Sequence, residues 1–396
     1  MNSNRIIMKK QLTSLVILPL LLVACAGGGQ KRLTVEVQGM TDDSLICSYF
    51  SPATVRERGD MTTFMVGGER QGDKITFSID MPDNQQVYKV FLAPQNFRAD
   101  GPHQNMELFL LPGETPYVQA VYEPKSKRID YTLQGSDDQQ RWFDFQKTYD
   151  SVQLQLDLLN FAAIMMSPQG LAPEDSIFVA MKRLQEQIDS IKSEYVGANP
   201  SDAVSAFVLT TFPNNARFDS LYALTDDRVK QGPLKEWLDL QKELADRANA
   251  SQKAREAVVE GAQAPDFTLT DVDGKSFTLS SLYGGGKYIV LDFWGTWCSW
   301  CMKGMPDMKK AYEQYRNRLE IVGIDCGDKE EVWKKSVEKL QLPWVNVRAE
   351  GDDIPVLFGV EAFPTKLVLD PQGAVVARIT GEDPAFYTLL DSLATK

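Results

Sequence analysis

The spacing of apolar residues changes along the chain, and each spacing is typical of a different kind of structure. Between residue 31 and about residue 135, apolar and polar residues alternate in short segments, separated by glycine, proline, asparagine and aspartate. Alternation with a period of two, interrupted regularly by turn residues, predicts antiparallel strands. The predicted strands cover residues 33–37, 74–79, 88–92, 106–111, 117–122 and 129–133.

From residue 137 to about residue 259, apolar residues recur at intervals of three and four, which predicts amphipathic helices. The clearest stripe comprises Ile177, Met181, Leu184, Ile188, Ile191 and Tyr195. Its helix should begin at Asp175 or Ser176 and end at residues 197–200, which contain glycine and proline. Further helices are predicted over residues 140–166, 202–211 and 233–257.

After residue 259 the two patterns alternate, which predicts an α/β domain with a mixed sheet covered on both faces. Strands are predicted over residues 266–269, 276–279, 288–293, 320–324, 344–347, 365–369 and 375–379. Helices should follow Cys298 and cover residues 329–340 and 384–393. The fold class is therefore a C-terminal α/β domain, residues 259–396, preceded by an antiparallel β-rich domain, residues 26–136, and an α-helical segment, residues 137–258.

Length and composition exclude several classes of protein. A chain of 396 residues is long enough for two or three domains. Its net charge of -12 argues against a nucleic-acid partner, because little in the chain would neutralise phosphates. The single histidine, His103, argues against histidine-based triads and zinc sites with several histidine ligands. We expect no metal and no cofactor.

The N-terminus is typical of a targeting segment. Lys9 and Lys10 precede an apolar run over residues 12–23, which is shorter than the roughly 20 residues of a membrane-spanning helix. A Leu-Val-Ala-Cys sequence then ends at Cys25. The segment, residues 1–25, resembles a bacterial lipoprotein signal peptide, which implies lipidation of Cys25 and anchorage to a membrane, facing the periplasm. A plain secretory signal or a short uncleaved anchor is the alternative; in each case the body is exported.

The residues that carry chemistry are Cys298 and Cys301, which follow a strand of apolar residues and precede a helix. Two thiols at this spacing can close a disulfide and open it again. Unpaired peptide N–H groups and the helix dipole stabilise a thiolate at a helix N-terminus, which lowers the pKa of the first cysteine. One pair of cysteines could also be half of a zinc site, but the chain has no second pair at this spacing.

Three motifs together resemble the TlpA/ResA-like branch of the thioredoxin superfamily: residues 261–267, the Trp-Gly-Thr-Trp-Cys-x-x-Cys sequence at 294–301, and Ala-Phe-Pro-Thr at 362–365. The match spans about residues 260–396 and implies a thioredoxin-like domain with a redox-active disulfide. The preceding β-rich region resembles the domain of unknown function found before such domains in Gram-negative lipoproteins.

Cys298 precedes the helix, so we expect it to be the nucleophile with the exposed sulfur, and Cys301 to be the resolving cysteine. Asp292 matches the buried acid of thioredoxin; burial should raise its pKa so that it accepts the proton of Cys301. The alternative for Asp292 is a structural role in capping a loop. By the resemblance, Pro364 is a cis-proline next to the two sulfurs.

Four residues beside these motifs are predicted to bind substrate: Trp297, Trp300, Phe363 and Thr365. The sequence departs from the family at Trp300, where this branch usually has proline. Some members also carry a glutamate three residues after the second cysteine, where this chain has Gly304, so Asp292 would be the only acid close to the disulfide.

Several residues have two interpretations. Cys47 and Cys326 are expected to be buried and inert, with a reactive thiol as the alternative. Phe161, Met165 and Met166 are expected in a core, with a binding groove as the alternative.

The resulting functional prediction is a membrane-anchored periplasmic thiol–disulfide oxidoreductase that reduces or isomerises protein disulfides. Its partners would be protein disulfide substrates and a membrane thiol reductant of the DsbD/CcdA type; roles in redox homeostasis and cytochrome c maturation, and a homodimer, stay open. A thiol peroxidase of the peroxiredoxin-like branch is one alternative. The other is a binding lipoprotein that uses the thioredoxin fold as a scaffold.

Overall fold

The computed structural model describes residues 30–57, 61–81, 86–94, 105–125, 128–166, 176–212 and 216–394. The described residues up to Ala245 form one compact unit, and those from Asp246 onward form another. Cys25 with its targeting segment and His103 lie outside the described residues. Within the described ranges, no helix has both the length and the apolar character that crossing a membrane requires.

The first unit begins with a series of strands. They are β1 (Gln30–Gln38), β2 (Ser44–Phe50), β3 (Thr62–Gly67), β4 (Glu69–Gln71), β5 (Lys74–Met81), β6 (Tyr88–Pro94), β7 (Met106–Leu110), β8 (Tyr117–Glu123) and β9 (Arg128–Gln134). One sheet has the order β4-β5-β1-β8-β9 and the other the order β3-β2-β6-β7. The strand ranges predicted from the sequence pattern do not cover β2, β3 or β4.

One strand pair differs from the predicted antiparallel arrangement, because β1 and β8 pair in parallel. Parallel neighbours need a long connection, and β2 to β7 supply it here. The alternation in β1 buries Leu33, Val35 and Val37 in the core of this unit. Cys47, on β2, is also fully buried, and burial raises the pKa of its thiol to about 12. This agrees with the inert interpretation of Cys47.

Helices follow in the order α1 (Pro52–Arg56), α2 (Asp137–Gln146), α3 (Asp150–Met166), α4 (Ser176–Ala198), α5 (Ala203–Leu209), α6 (Ala216–Leu224), α7 (Asp227–Lys230) and α8 (Lys235–Ala257). The predicted single helix over 140–166 is divided between Gln146 and Asp150, where the Thr148 hydroxyl donates to the Phe145 carbonyl at 2.7 Å. On α3, Phe161 is 41% exposed, so its predicted place in a core is wrong. The side chains of Met165 and Met166 lie outside the description.

The second unit alternates strands and helices as predicted. Its strands are β10 (Thr268–Thr270), β11 (Ser276–Thr278), β12 (Tyr288–Trp294), β13 (Leu319–Cys326), β14 (Val345–Ala349), β15 (Thr365–Leu369) and β16 (Val375–Thr380). Its helices after α8 are α9 (Ser299–Tyr315), α10 (Glu330–Leu340), α11 (Asp353–Leu357) and α12 (Ala385–Ala394). The main sheet has the order β14-β13-β12-β15-β16, in which β12, β13 and β14 are parallel and the other neighbours antiparallel.

The central strand β12 is buried on both faces of this sheet. Ile289, Leu291 and Phe293 pack into a core on one face. Val290 and Trp294 belong to the core on the opposite face, which also contains Cys298, Cys301 and side chains of α9 and α12. Because side chains alternate along a strand, Asp292 lies on the same face as Val290 and Trp294. The strand therefore directs one carboxyl toward the helix that carries the cysteines.

Candidate functional site

Cys298 and Cys301 are joined by a disulfide at the start of α9. Cys298 is the N-cap residue of this helix, and its Sγ accepts a hydrogen bond from the Cys301 N–H at 3.1 Å. Cys298 keeps 6% of its surface exposed and Cys301 keeps 3%. Cys298 is the more exposed of the two cysteines, but the prediction of an exposed sulfur is wrong for the disulfide form, because Cys298 belongs to the buried core on this face of the sheet.

The loop between β12 and α9 is fixed by the loop after β13. The Thr296 N–H and hydroxyl both donate to the Asp328 carboxylate, at 2.7 and 2.6 Å. The Trp297 indole N–H donates to the Cys326 carbonyl at 3.1 Å. Gly295 permits this arrangement, because a Cβ at that position would overlap the Trp297 ring. The backbone that leads into Cys298 is thus held from one side.

Asp325, beside this loop, is an acid that sequence reasoning missed. It is fully buried at the end of β13, and its Oδ2 has no hydrogen-bond partner among the described residues. Burial, with the neighbouring Asp328 carboxylate, raises the pKa of Asp325 to about 8. Asp325 therefore carries a proton at neutral pH, next to the Asp328 side chain that accepts the Thr296 hydrogen bonds. Cys326, between them in sequence, is buried, in agreement with its inert interpretation.

Aromatic residues surround the disulfide. Trp297 is 56% exposed, and its ring contacts Phe363 edge-on at a centroid distance of 5.0 Å. Phe363 precedes Pro364 through a cis peptide bond, as the resemblance implies. Trp300 lies under the Lys303 ammonium, 4.5 Å from the ring centroid. These exposed and half-buried rings form a surface that a substrate could contact.

Thr365 is the exception among the predicted substrate-binding residues. Its side chain is buried, with only 1% exposed, and its hydroxyl donates to the Ala362 carbonyl at 2.7 Å. The prediction that this side chain contacts substrate is wrong, because the side chain lies in the buried interior of the domain. Its hydrogen bond instead stabilises the turn that presents Phe363 and Pro364.

Asp292 lies in the middle of β12 and is 2% exposed. A mid-strand position removes the alternative that it caps a loop. Burial raises the pKa of its carboxyl to about 6, while the Lys366 ammonium works in the opposite direction. Oδ1 of Asp292 accepts no hydrogen bond from the described residues and lies 3.9 Å from Lys366 Nζ. Asp292 can therefore exchange a proton close to neutral pH.

A second acid packs against the helix that carries the disulfide. Gly304 is on the buried face of α9, one turn after Cys301, and a Cβ at this position would overlap the carboxyl group of Glu382. The prediction that Asp292 is the only acid near the disulfide is wrong. Glu382 follows β16 and was missed because nothing near it in sequence marks it. A lysine at position 366, inside an apolar strand, was the available signal that a buried acid must be nearby.

The second unit has the topology of a thioredoxin-like domain, with a disulfide placed on the helix that follows the central strand. Comparisons with known proteins agree with this class. Residues 261–378 match the model of the AhpC/TSA family. The thiol-disulfide oxidoreductase ResA of Bacillus thuringiensis is 37% identical over 123 residues, which are 31% of this chain and 70% of that protein. ResA of Bacillus subtilis is 32% identical over 134 residues, 34% of this chain and 74% of that protein.

Solved structures were also found. The thioredoxin domain of a thiol-disulfide oxidoreductase from Bacteroides vulgatus is 31% identical, with a TM-score of 0.31, and covers 34% of this chain and 98% of that domain. A DsbE-type thiol:disulfide interchange protein from Chlorobium tepidum is 26% identical, with a TM-score of 0.33 and coverages of 35% and 96%. By its sequence relatives, the chain belongs to the ResA family. It is a thiol–disulfide oxidoreductase.

The buried Asp325 predicts a pH dependence of stability. The folded chain keeps a proton on Asp325 up to about pH 8, whereas the unfolded chain loses it near the ordinary value of 3.8. The folded state then binds more protons, so this group's contribution to stability falls as pH rises from about 4 to about 8, and is constant above. Asp325→Asn should remove this loss, with a slope difference of up to about 1.4 kcal/mol per pH unit.

The measurement is urea unfolding of the oxidised chain at several pH values from about 5 to about 8.5, followed by tryptophan fluorescence. Asp273→Asn is the matched control, because the side chain of Asp273 is 68% exposed. Its unfolding free energy should follow the unmodified chain at every pH. Parallel stability curves for the unmodified chain and Asp325→Asn would contradict a protonated Asp325.

Proposed function

We propose that this chain is a membrane-anchored periplasmic oxidoreductase that reduces or isomerises protein disulfides through Cys298 and Cys301. One observation carries the proposal: the disulfide lies at the N-terminus of α9, the sheet face that packs with both cysteines carries a buried acid, Asp292, and an exposed aromatic residue, Trp297, precedes Cys298. This combination supplies a thiolate, a proton acceptor and a surface for the substrate.

In the reduced chain, the Cys298 thiolate would attack one sulfur of a substrate disulfide. The substrate S–S bond breaks, a mixed disulfide with Cys298 forms, and the first substrate thiolate leaves. Cys301 then loses its proton and attacks Cys298 Sγ, which forms the internal disulfide and releases the second substrate thiolate. Two electrons pass to the substrate, and the two leaving thiolates take up protons from water. Turnover then requires a thiol reductant for the internal disulfide.

The N-terminus of α9 favours the first step. In the disulfide form, Sγ of Cys298 already accepts the Cys301 N–H at 3.1 Å. After reduction the same N–H would stabilise the Cys298 thiolate, together with the helix dipole. The position at the helix N-terminus thus lowers the free energy of the Cys298 thiolate.

Asp292 would serve the second step. It lies under α9 on the sheet face that holds both cysteines, and its raised pKa, about 6, gives it useful affinity for a proton near neutral pH. As an anion it would take the proton of the Cys301 thiol when that sulfur attacks, directly or through a water molecule.

The substrate would bind against Trp297, Trp300 and Phe363, with Pro364 next to the sulfurs. The half-exposed rings offer apolar contact. The Pro364 carbonyl accepts the Gly381 N–H, so an extended peptide would pair with the backbone of Phe363, which precedes the cis bond. The peroxidase alternative is not favoured: Gly295, Thr296 and Trp297 precede the cysteine, where a peroxiredoxin has a Pro-x-x-x-Thr-x-x-Cys context. The named relatives are oxidoreductases of disulfides.

Membrane attachment rests on Cys25 and its lipoprotein-like surroundings. A lipid there would keep the redox unit near a membrane thiol reductant of the DsbD/CcdA type, which an exported reductant needs in an oxidising compartment. Reduction of haem-binding cysteines in cytochrome c maturation is one use of such an enzyme.

Substitution of either cysteine should stop turnover in distinct ways. Cys298→Ser should abolish reduction of insulin disulfides, because no nucleophile remains at the helix tip. Cys301→Ser should accumulate mixed disulfides, because the resolving thiol is absent. Cys326→Ser is the control and should retain activity, since Cys326 is buried and outside the disulfide. Turnover retained by both active-site variants would refute the redox assignment.

Replacement of Asp292 should slow resolution. In Asp292→Asn the acceptor is lost, so we expect the single-turnover release of substrate from the Cys298 mixed disulfide to slow at least about tenfold at pH 7. The unmodified rate should rise with pH around 6, where the Asp292 carboxyl ionises. Stopped-flow tryptophan fluorescence would follow the reaction. An equal rate in both proteins from pH 5 to pH 8 would remove Asp292 from the mechanism.

Membrane attachment can be tested separately. Cys25→Ser in the full chain, expressed in a Gram-negative host, should abolish incorporation of labelled palmitate and move the protein from the membrane to the soluble periplasmic fraction. Cys47→Ser, with its cysteine buried in the first unit, is the control and should leave both unchanged. Retention of label by Cys25→Ser would exclude this lipid anchor.

A further inference from the structure

Lys366 is a buried lysine in an otherwise apolar strand. It is 2% exposed on β15, and the register of β12 and β15 places it directly opposite Asp292. Lysine is rarely buried without a partner, because removing an ammonium from water is costly. Neighbouring groups must therefore stabilise the buried ammonium of Lys366 in the second unit.

The compensation comes from two carboxylates. Lys366 Nζ lies 2.9 Å from Glu382 Oε2 and 3.9 Å from Asp292 Oδ1. Its ammonium also lies 5.4 Å from the centroid of the Phe386 ring on α12. Tyr387, on the same helix, donates its hydroxyl to Glu382 Oε1 at 2.9 Å. Glu382 is therefore held at both oxygens, and Lys366 is fixed between the acids.

Gly304 brings this arrangement against α9. The helix has no side chain there, and the Glu382 carboxyl occupies the space that a Cβ would need. Glycine inside a helix costs about 1 kcal/mol relative to alanine. Gly304, one turn after Cys301, thus makes the helix less stable than alanine would. The absence of a side chain leaves room for the Glu382 carboxyl beside α9.

The distances assign different roles to the two acids. Glu382 makes the close, charge-assisted contact with Lys366, and this kind of contact is the stronger one. Asp292 receives only partial stabilisation from the same ammonium, across a longer gap. Asp292 Oδ1 has no hydrogen-bond partner among the described residues, whereas Glu382 is in direct contact with Lys366.

We propose that Lys366 and Glu382 are positioning residues that hold Asp292 ready to take the proton of the Cys301 thiol. Lys366 favours the anionic acceptor, and Glu382 limits that effect by neutralising Lys366. The groups that face Asp292 from the packed elements are then Lys366 on β15, Glu382 and Tyr387 from the region of α12, and Cys301 on α9. This inference rests on the proposed role of Asp292.

Two substitutions should move the titration of Asp292 in opposite directions. Lys366→Met removes the cation and should raise the titration midpoint of Asp292 by at least about one pH unit, a tenfold change in proton affinity. Glu382→Gln keeps hydrogen-bonding atoms for Lys366 and Tyr387 but removes the negative charge, and it should lower the midpoint. A purely structural role for the pair would not give shifts of opposite sign.

The readout is the carbon-13 carboxyl signal of Asp292 in aspartate-labelled full chain, assigned by its absence in Asp292→Asn and titrated with the disulfide closed. Lys309→Met is the matched control: Lys309 lies on α9 and donates to the Leu340 carbonyl, away from the pair, so the midpoint should not move. Gly304→Ala is a further variant, in which the added methyl displaces Glu382 and should lower the midpoint as Glu382→Gln does.

Unchanged midpoints in Glu382→Gln and Gly304→Ala would overturn the proposal even if Lys366→Met does not fold. The titration needs no substrate, so it is independent of turnover. If the midpoints move as expected while Cys298→Ser retains insulin reduction, the proposed function fails and the electrostatic arrangement stands. If turnover needs both cysteines but the midpoints stay fixed, only the positioning role fails.

Discussion

The register of β12 is the constraint on which the redox site depends. This strand is apolar except at Asp292, and its neighbours β13 and β15 fix it from both sides. Because side chains alternate, a slip by one residue would move Asp292 to the opposite face and place Phe293 under α9. The burial of Leu291 and Phe293 in the other core makes that slip unfavourable. Hydrophobic packing on one face thus determines where the acid lies on the other.

Two carboxyls in this unit, those of Asp292 and Asp325, are buried, and burial disfavours their charged forms. Their neighbours differ, and so do their pKa values. Asp292 lies opposite an ammonium, so its pKa rises only to about 6. Burial and the neighbouring Asp328 side chain raise the pKa of Asp325 to about 8. One acid can therefore lose its proton near neutral pH, whereas the other keeps it. Burial is the largest cause for both carboxyls; Lys366 then lowers the pKa of Asp292, whereas Asp328 raises the pKa of Asp325 further.

The sequence was informative where structure depends on local pattern. The alternation of strands and helices after residue 259, the cysteine pair and Asp292 lie in short motifs, and the sheet and disulfide follow those predictions. It was less informative for contacts between distant segments. Glu382 reaches Gly304 through the tertiary fold, and the parallel pairing of β1 with β8 depends on the strands between them. The break between α2 and α3 was also missed, because no glycine or proline marks it in the sequence. The Thr148 hydroxyl donates to the Phe145 carbonyl at this break.

Disulfide exchange also requires that a substrate can reach the cysteine sulfurs. Both cysteines are almost fully buried in the disulfide form, while Trp297 is largely exposed and fixed by Phe363 and the Cys326 carbonyl. Under the proposed function, an indole held beside a recessed sulfur would disfavour a disulfide that lies deep inside a folded partner, because the partner's backbone would meet the ring first. The same ring would offer apolar contact to a disulfide on an extended or projecting segment. Under the proposed function, shape at the helix tip would therefore select the substrate, and the acids beneath it would govern proton transfer.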